Sequence, residues 1–274
     1  MAELKGTRAL VTGASGGIGA AIARELASRG VHLVLAARRR AQLDAVAAGC
    51  LGFGVLTEVI TADLGTPGGA RELWTEATRT PVDIVINNAG FGYFRPFVEI
   101  DWARDAELVQ LNVTSLLELS KRFAEHRKGR SGRGYLVNIA SIGAYQSIPN
   151  MALYAASKAF VRNFTEGLHD EWRGTSLSAT SICPGGTKTD FHSMAGAGDY
   201  GWLANLSMMT AEQVARITVD AMVRRKRNVI PGLMNKLSCW GVRFVPRRFA
   251  SWMSRRVLGK PRPGELPART TEAA

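Results

Sequence analysis

Short apolar runs alternate with stretches of helical spacing along most of the 274 residues. "TRALVT" (7–12) is a β-branched run that ends in a glycine cluster. "GIGAAIARELASRG" (17–30) then carries Ile18, Ile22 and Leu26 on one stripe, with Gly30 placed to stop the helix. The same alternation predicts strands over 31–38, 58–64, 82–90, 134–141 and 177–185, and a short last strand at "NVIPG" (228–232). Helices are predicted over "RRAQLDAVAAGC" and "GGARELWTEATRT", and over roughly 101–127, 151–172 and 210–225. "GFG" (52–54) has no helix after it and reads as a loop, and "KGRSGRG" (128–134) as a surface turn. The strands are apolar at successive positions, so both of their faces are expected to be covered. Strand–helix alternation with such strands predicts an α/β fold, a doubly wound parallel sheet of about seven strands with helices on both faces.

Composition changes this picture little, and charge changes it at one place. The chain is 46% hydrophobic, enough for one large core, and has no run of about 18 apolar residues that would span a bilayer. The N-terminus lacks a charged head followed by an apolar signal core, which leads us to expect a cytoplasmic protein. Cys50, Cys183 and Cys239 are far apart, and the four histidines are scattered, so no disulfide framework or metal site is expected. The net charge is +12, and Arg224 to Arg262 contains twelve Lys or Arg and no Asp or Glu. The rest is balanced, 23 basic against 23 acidic residues. The basic excess is therefore a tail on a neutral body. No recognition motif accompanies it, so nucleic acid is not an expected partner. We expect residues 1–232 to form the catalytic domain and 233–274 a basic amphipathic extension broken at Pro246. That extension either packs on the protein with its arginines in water or lies on an anionic membrane at its inner face.

The glycine cluster carries the first chemistry. "LVTGASGGIG" places Gly13, Ser15, Gly17, Ile18 and Gly19 between the first strand and the first helix. This is where a parallel α/β sheet takes the pyrophosphate of a dinucleotide: glycines let the backbone approach, and the helix N-terminus offers free N–H groups. An acid for the ribose diol is expected at the end of the second strand if the ligand is NAD. The chain reads "AARRR" instead, with no acid between Gly30 and Asp44. Arg38 and Arg39 suit a 2′-phosphate, with Arg38 the leading candidate, Ser15 adding a hydroxyl and Arg40 reading as a solvated helix start. NADP(H) is the expected cofactor.

Taken together, "TGASGGIG" (12–19), "DL" (63–64), "NNAG" (87–90), "LNV" (111–113), Ser141, "YAASK" (154–158) and "PG" (184–185) resemble the short-chain dehydrogenase/reductase family, in its order and over about residues 5–232. The resemblance implies a Rossmann-type domain. It implies Asp63 and Leu64 at the adenine, Asn88, Ala89 and Gly90 beside the cofactor loop, and Pro184, Gly185 and Thr187 toward the nicotinamide. It also implies that Lys158 holds the nicotinamide ribose, and that the protein forms homodimers or homotetramers through the helices near 101–127 and 151–172.

The catalytic set is then Asn112, Ser141, Tyr154 and Lys158. Tyr154 is the natural proton donor to a carbonyl oxygen, but a phenol of ordinary pKa about 10 is a poor acid at neutral pH. Lys158, one helical turn on, favours the phenolate and makes the donor stronger. Ser141 is placed to hydrogen-bond the substrate oxygen, and Asn112 to hold a water that relays protons to Lys158. Phe191, Met194, Tyr200, Trp202, Leu203, Leu206, Met208 and Met209 are expected to form a lid over an apolar substrate, flanked by 91–97 and 142–149. The expected activity is NADPH-dependent reduction of a hydrophobic ketone, 3-oxoacyl or steroid-like, running in reverse as an alcohol dehydrogenase. The alternative, a silent NADP(H)-binding regulator of a partner protein, is disfavoured because every catalytic position is filled.

Overall fold

The computed structural model describes residues 4–187 and 208–259. Seven strands form one sheet: β1 (Arg8–Thr12), β2 (His32–Ala37), β3 (Thr57–Thr61), β4 (Ile84–Asn87), β5 (Gly134–Ile139), β6 (Leu177–Ile182) and β7 (Asn228–Val229). Their order is β3-β2-β1-β4-β5-β6-β7, and every pairing is parallel. Parallel neighbours need a crossover, and helices supply it: α1 (Gly17–Ser28), α2 (Arg40–Leu51), α3 (Gly69–Ala77), α4 (Trp102–Val109), α5 (Leu116–Arg127), α6 (Ala152–Glu171) and α7 (Ala211–Val223). Two more helices, α8 (Leu233–Gly241) and α9 (Arg247–Leu258), follow β7.

The continuous apolar runs have the double role expected of buried strands. Side chains alternate between faces, so Ala9, Val11, Leu33, Leu35, Ile84 and Ile86 pack into the cluster with α1, α2 and α7. Leu10, Val34, Ala36, Val85 and Leu136 pack into the opposite cluster with Leu73 and Trp74 of α3 and Leu119 and Phe123 of α5. Both sets are removed from water, and that burial is the dominant stabilising term of the fold. Thr210 and Gln213 start α7 with reciprocal side-chain and backbone bonds, a capping box that "TAEQ" spells out.

The predicted helix over 101–127 is not regular. Gln110–Ser115 form a π-helical turn between α4 and α5. One extra residue is accommodated there, and Asn112 is carried inward, 1% exposed, where a continuous α-helix would have taken a different phase. Several strands are also shorter than their apolar runs, with β3 ending at Thr61, β4 at Asn87 and β6 at Ile182. The residues left over, 62–64, 88–90 and 183–185, are loops at the C-terminal edge of the sheet. The chain reverses its direction of strand addition between β1 and β4, which opens a crevice at that edge.

Candidate active site

The crevice begins at the loop between β1 and α1. Gly13 has φ +65° and Gly17 φ +53°, the left-handed region that favours glycine. A Cβ on Gly13 would stand 2.8 Å from Asn88 Nδ2, and one on Gly19 would overlap the Gly13 carbonyl oxygen. The loop is therefore as tight as backbone allows. Asn88 clamps it: its Nδ2 donates to the carbonyls of Thr12 (3.0 Å) and Gly13 (3.1 Å). Thr12 Oγ1 returns the contact by accepting from the N–H groups of Asn88 (3.0 Å) and Ala89 (3.1 Å). No side chain caps α1 at Gly16, and the first turn has no acid, so its free N–H groups and positive dipole end face the crevice. This cradle fits the pyrophosphate of a dinucleotide.

At the end of β2, Arg39 Nη2 donates to Ser15 Oγ at 3.3 Å, which puts a guanidinium and a hydroxyl side by side at the glycine loop. Arg38, the leading candidate from sequence, instead pairs with Glu107 of α4 at 3.5 Å; Glu107 also pairs with Arg104 at 2.9 Å. Sequence reading missed Glu107, because nothing along the chain brings α4 to the end of β2. Arg40 pairs with Asp44 in solvent, as expected. Asp63 Oδ1 accepts from Gly65 N (2.9 Å), and Ser115 Oγ donates to the Leu64 carbonyl (2.7 Å), fixing the loop after β3.

Tyr154, Lys158, Ser141 and Asn112 converge at the same edge. Tyr154 and Lys158 lie on α6, both buried, with Lys158 Nζ 5.8 Å from the centre of the Tyr154 ring. Nζ donates to the Ile139 carbonyl of β5 at 2.9 Å, which leaves two of its N–H groups for other partners. Burial pushes the Lys158 ammonium down from 10.5 to about 8. Ser141 starts a short 3-10 turn, Ile142–Tyr145, and its Oγ accepts from Gly143 N at 3.0 Å, leaving the O–H free to donate. A Cβ on Gly143 would stand 3.4 Å from Ser141 Oγ and 3.8 Å from Tyr154 Cε1, so both groups border one small residue.

Asn112 bonds the Phe91 backbone twice: Oδ1 accepts from its N–H (3.1 Å) and Nδ2 donates to its carbonyl (2.9 Å). Nδ2 also donates to Ser157 Oγ at 3.1 Å, so both donor hydrogens are used. A lone pair on Oδ1 is left, on the side where a Cβ on Gly90 would stand 3.0 Å from Oδ1 and 3.3 Å from Lys158 Nζ.

Pro184, Gly185 and Thr187 follow β6. The Pro184 carbonyl accepts from Ile142 N (2.9 Å), and Thr187 Oγ1 donates to the Gly185 carbonyl (3.2 Å). The lid residues Phe191 to Leu206 lie outside the described residues; Met208 and Met209 are half-buried. Two residues inside the quoted stretches had no role assigned from sequence. A Cβ on Gly92 would stand 2.5 Å from Tyr154 Cδ2, so the ring rests on bare backbone there. Asn87, the first residue of "NNAG", donates to Asn138 (2.9 Å) and Ser120 (3.1 Å), and Asn138 to Thr165 (2.9 Å), tying α5 and α6 to the sheet beneath the site. Among the described residues no group of His, Cys, Asp or Glu can hold a metal ion.

Comparison with known proteins agrees with this geometry. The family model described as short chain dehydrogenase matches residues 7–200. Gluconate 5-dehydrogenase of Gluconobacter oxydans is 34% identical over 67% of this chain and 72% of its own. A very-long-chain 3-oxoacyl-CoA reductase of Anas platyrhynchos is 34% identical over 65% of this chain and 59% of its own length. A short-chain dehydrogenase from Sphingobium yanoikuyae, solved with NADPH, superimposes with a TM-score of 0.77 at 30% identity, covering 98% of both chains. With the glycine loop, "NNAG" and "YAASK" all at the edge where the sheet opens, this chain belongs to the short-chain dehydrogenase family.

Proposed function

We propose that the protein is an NADPH-dependent reductase of a hydrophobic carbonyl compound, reversible as an alcohol dehydrogenase. The observation that carries the reading is the convergence of Tyr154, Lys158, Ser141 and Asn112 beside the glycine cradle. NADPH supplies hydride to the carbonyl carbon when bound; the side chains do the rest. Tyr154 donates its phenolic proton to the carbonyl oxygen as charge grows there. Ser141, with its own oxygen held by Gly143, donates a second hydrogen bond to the same atom. Lys158 favours the phenolate electrostatically. The free lone pair of Asn112 Oδ1 accepts from a water that refills the proton through Lys158. The structure of the Sphingobium protein with NADPH supports the cofactor, as do Arg39 and Ser15 at the glycine loop.

The apolar surroundings of Tyr154 support the substrate class. Tyr93, Phe94, Ile148 and Met151 form one cluster with it. An apolar neighbourhood of this kind suits an acyl chain or fused ring better than a sugar acid, and so sides with the 3-oxoacyl relative over the gluconate one. Exposed Val109, Leu117 and Phe160 on α4, α5 and α6 support assembly of two or four copies through those helices. NADPH consumption with long-chain 3-oxoacyl thioesters, steroid ketones and aryl ketones tests the reading; consumption with none of them sinks it.

Two variants probe the parts. Replacing Arg38 and Arg39 with alanine is expected to lower the ratio of NADPH to NADH affinity about 100-fold, since charged hydrogen bonds to the 2′-phosphate are lost. Titration of both dinucleotides reads this, and an unchanged ratio refutes the assignment. Gly92→Ala is expected to lower kcat about 100-fold, because the new methyl displaces the Tyr154 ring by a fraction of an ångström to one ångström. Dinucleotide affinity should be unchanged; equal losses in both would mean that the loop has collapsed.

A further inference from the structure

Helices α8 and α9 are apolar on the wrong side. α8 buries Asn235 and Cys239 and turns Leu233 (72% exposed), Leu237 (53%) and Trp240 (59%) to water. These three are spaced i, i+4, i+7, one stripe of the helix, and Phe244 (68%) continues it. α9 likewise buries the small Ala250 and Ser254 and exposes Trp252. Nearly half of the exposed large apolar side chains among the described residues belong to this stretch. An exposed apolar stripe of this kind, rimmed by charge, marks an interaction surface.

The charge says what the partner is. The whole stretch from Arg224 to Arg262 has no acid. Among the described residues, Arg243, Arg247, Arg248, Arg255 and Arg256 make no ion pair, and Arg256 lies over the Trp252 ring at 5.1 Å. Arg247, Arg248 and Arg255 line a groove of about 440 Å³ with Trp252, closed on the other side by Ser147 and Pro149. An identical face of a second copy would oppose these arginines with the same arginines, which is repulsive. An anionic bilayer satisfies both halves: aromatic and aliphatic side chains at the acyl boundary and guanidinium groups at headgroup phosphates.

We propose that α8 and α9 dock the protein on an anionic phospholipid bilayer, with the arginine groove taking headgroup phosphates. No helix among the described residues is long and apolar enough to cross a membrane, so this contact is peripheral. The same helices border the reaction centre. Asn235 packs where a Cβ on Gly185 would overlap its amide, and Leu258 packs against the cluster that contains Tyr154. Docking therefore brings the mouth of the cleft to the lipid surface, and the substrate arrives by lateral diffusion from the bilayer. The docking surface stands independently of the reductase reading; the route of the substrate rests on it.

Sedimentation of the full chain with phosphatidylglycerol vesicles and with phosphatidylcholine vesicles is the test. We expect binding to the first and little to the second, weakened by salt. Leu237→Ser with Trp240→Ser, both exposed positions, should lower partition at least 10-fold. Replacing Arg247, Arg248 and Arg255 with glutamine should lower it about fivefold per residue. Circular dichroism and an unchanged rate on a small water-soluble ketone show that the variants fold and react. Absence of sedimentation with phosphatidylglycerol overturns the proposal. So does full competition by inorganic phosphate, which would make the groove a soluble-anion site. A change of oligomeric state in Leu237→Ser with Trp240→Ser, read by sedimentation velocity, would assign the face to a second copy and also overturn it. Vesicle binding without any carbonyl reduction would instead defeat the reductase reading and leave the docking intact.

Discussion

Tyr154→Phe is expected to lower kcat about 1000-fold while dinucleotide affinity stays within about twofold. The substitution removes one oxygen and leaves the ring, which rests on Gly92 and packs with Phe94 and Met151. The cradle at Gly13 and Gly19 is held by Thr12 and Asn88, neither of which depends on the phenol. The loss should therefore appear in the chemical step. Ser141 still donates to the substrate oxygen in the variant, so a residual rate above that of free NADPH is expected. Stopped-flow reduction at saturating NADPH, with fluorescence titration of the dinucleotide, separates the two terms. An unchanged kcat refutes Tyr154 as the proton donor; a kcat loss matched by lost NADPH binding refutes the division of labour between cradle and acid.

Lys158→Met is expected to lower turnover by a similar factor, about 100- to 1000-fold, without lowering thermal stability at pH 7. Lys158 is 5% exposed, and burial lowers its folded value to about 8 from 10.5. A folded value below the unfolded one means that the unfolded chain holds the proton more tightly. The buried cation therefore destabilises the fold at pH 7 by on the order of 3 kcal/mol. That penalty is complete below about pH 8 and is relieved as pH rises from about 8 toward 10.5. Methionine of the same length removes the penalty and gives up one charge-assisted hydrogen bond to the Ile139 carbonyl, worth about 1.5–3 kcal/mol. The variant should melt at or above the parent at pH 7, with the difference shrinking toward pH 10. Parent turnover should fall as pH rises through about 8, when Lys158 loses its proton. A marked loss of melting temperature at pH 7 in Lys158→Met would mean that the ammonium is solvated or paired, and would refute the buried-charge account.

Much of the fold was legible because its signals are local or periodic. The runs over 7–12, 31–38 and 134–141 each hold at least three consecutive apolar residues, Ala9 to Val11, Leu33 to Ala36 and Tyr135 to Val137, which a strand covered on both faces needs. Pairing by β1, β2 and β5 is parallel throughout, as that implies. Glycines 13, 17 and 19 were legible for a backbone reason: no side chain fits at Gly13 or Gly19 beside Asn88, and Gly17 has a φ of +53°. The π-helical turn at 110–115 was not legible, because one extra residue in a helix leaves no compositional trace. Arg38 and Arg39 were legible as a pair, but their order of importance depends on Glu107, which lies about seventy residues away in sequence and 3.5 Å away in space.

The sequence by itself determined the sheet, the dinucleotide cradle and the Tyr154–Lys158 pair, because turn chemistry, strand periodicity and i, i+4 spacing act within a few residues. It also determined that the basic excess is confined to the C-terminal stretch. Only the tertiary structure decided which side of that stretch faces water. Whether Leu237 and Trp240 are core or surface depends on what Asn235 and Cys239 pack against, and for Asn235 that includes Gly185, fifty residues upstream. The same holds for Gly92 beneath Tyr154 and for the ammonium of Lys158. A side chain's burial is a property of everything that surrounds it, and no local pattern contains that.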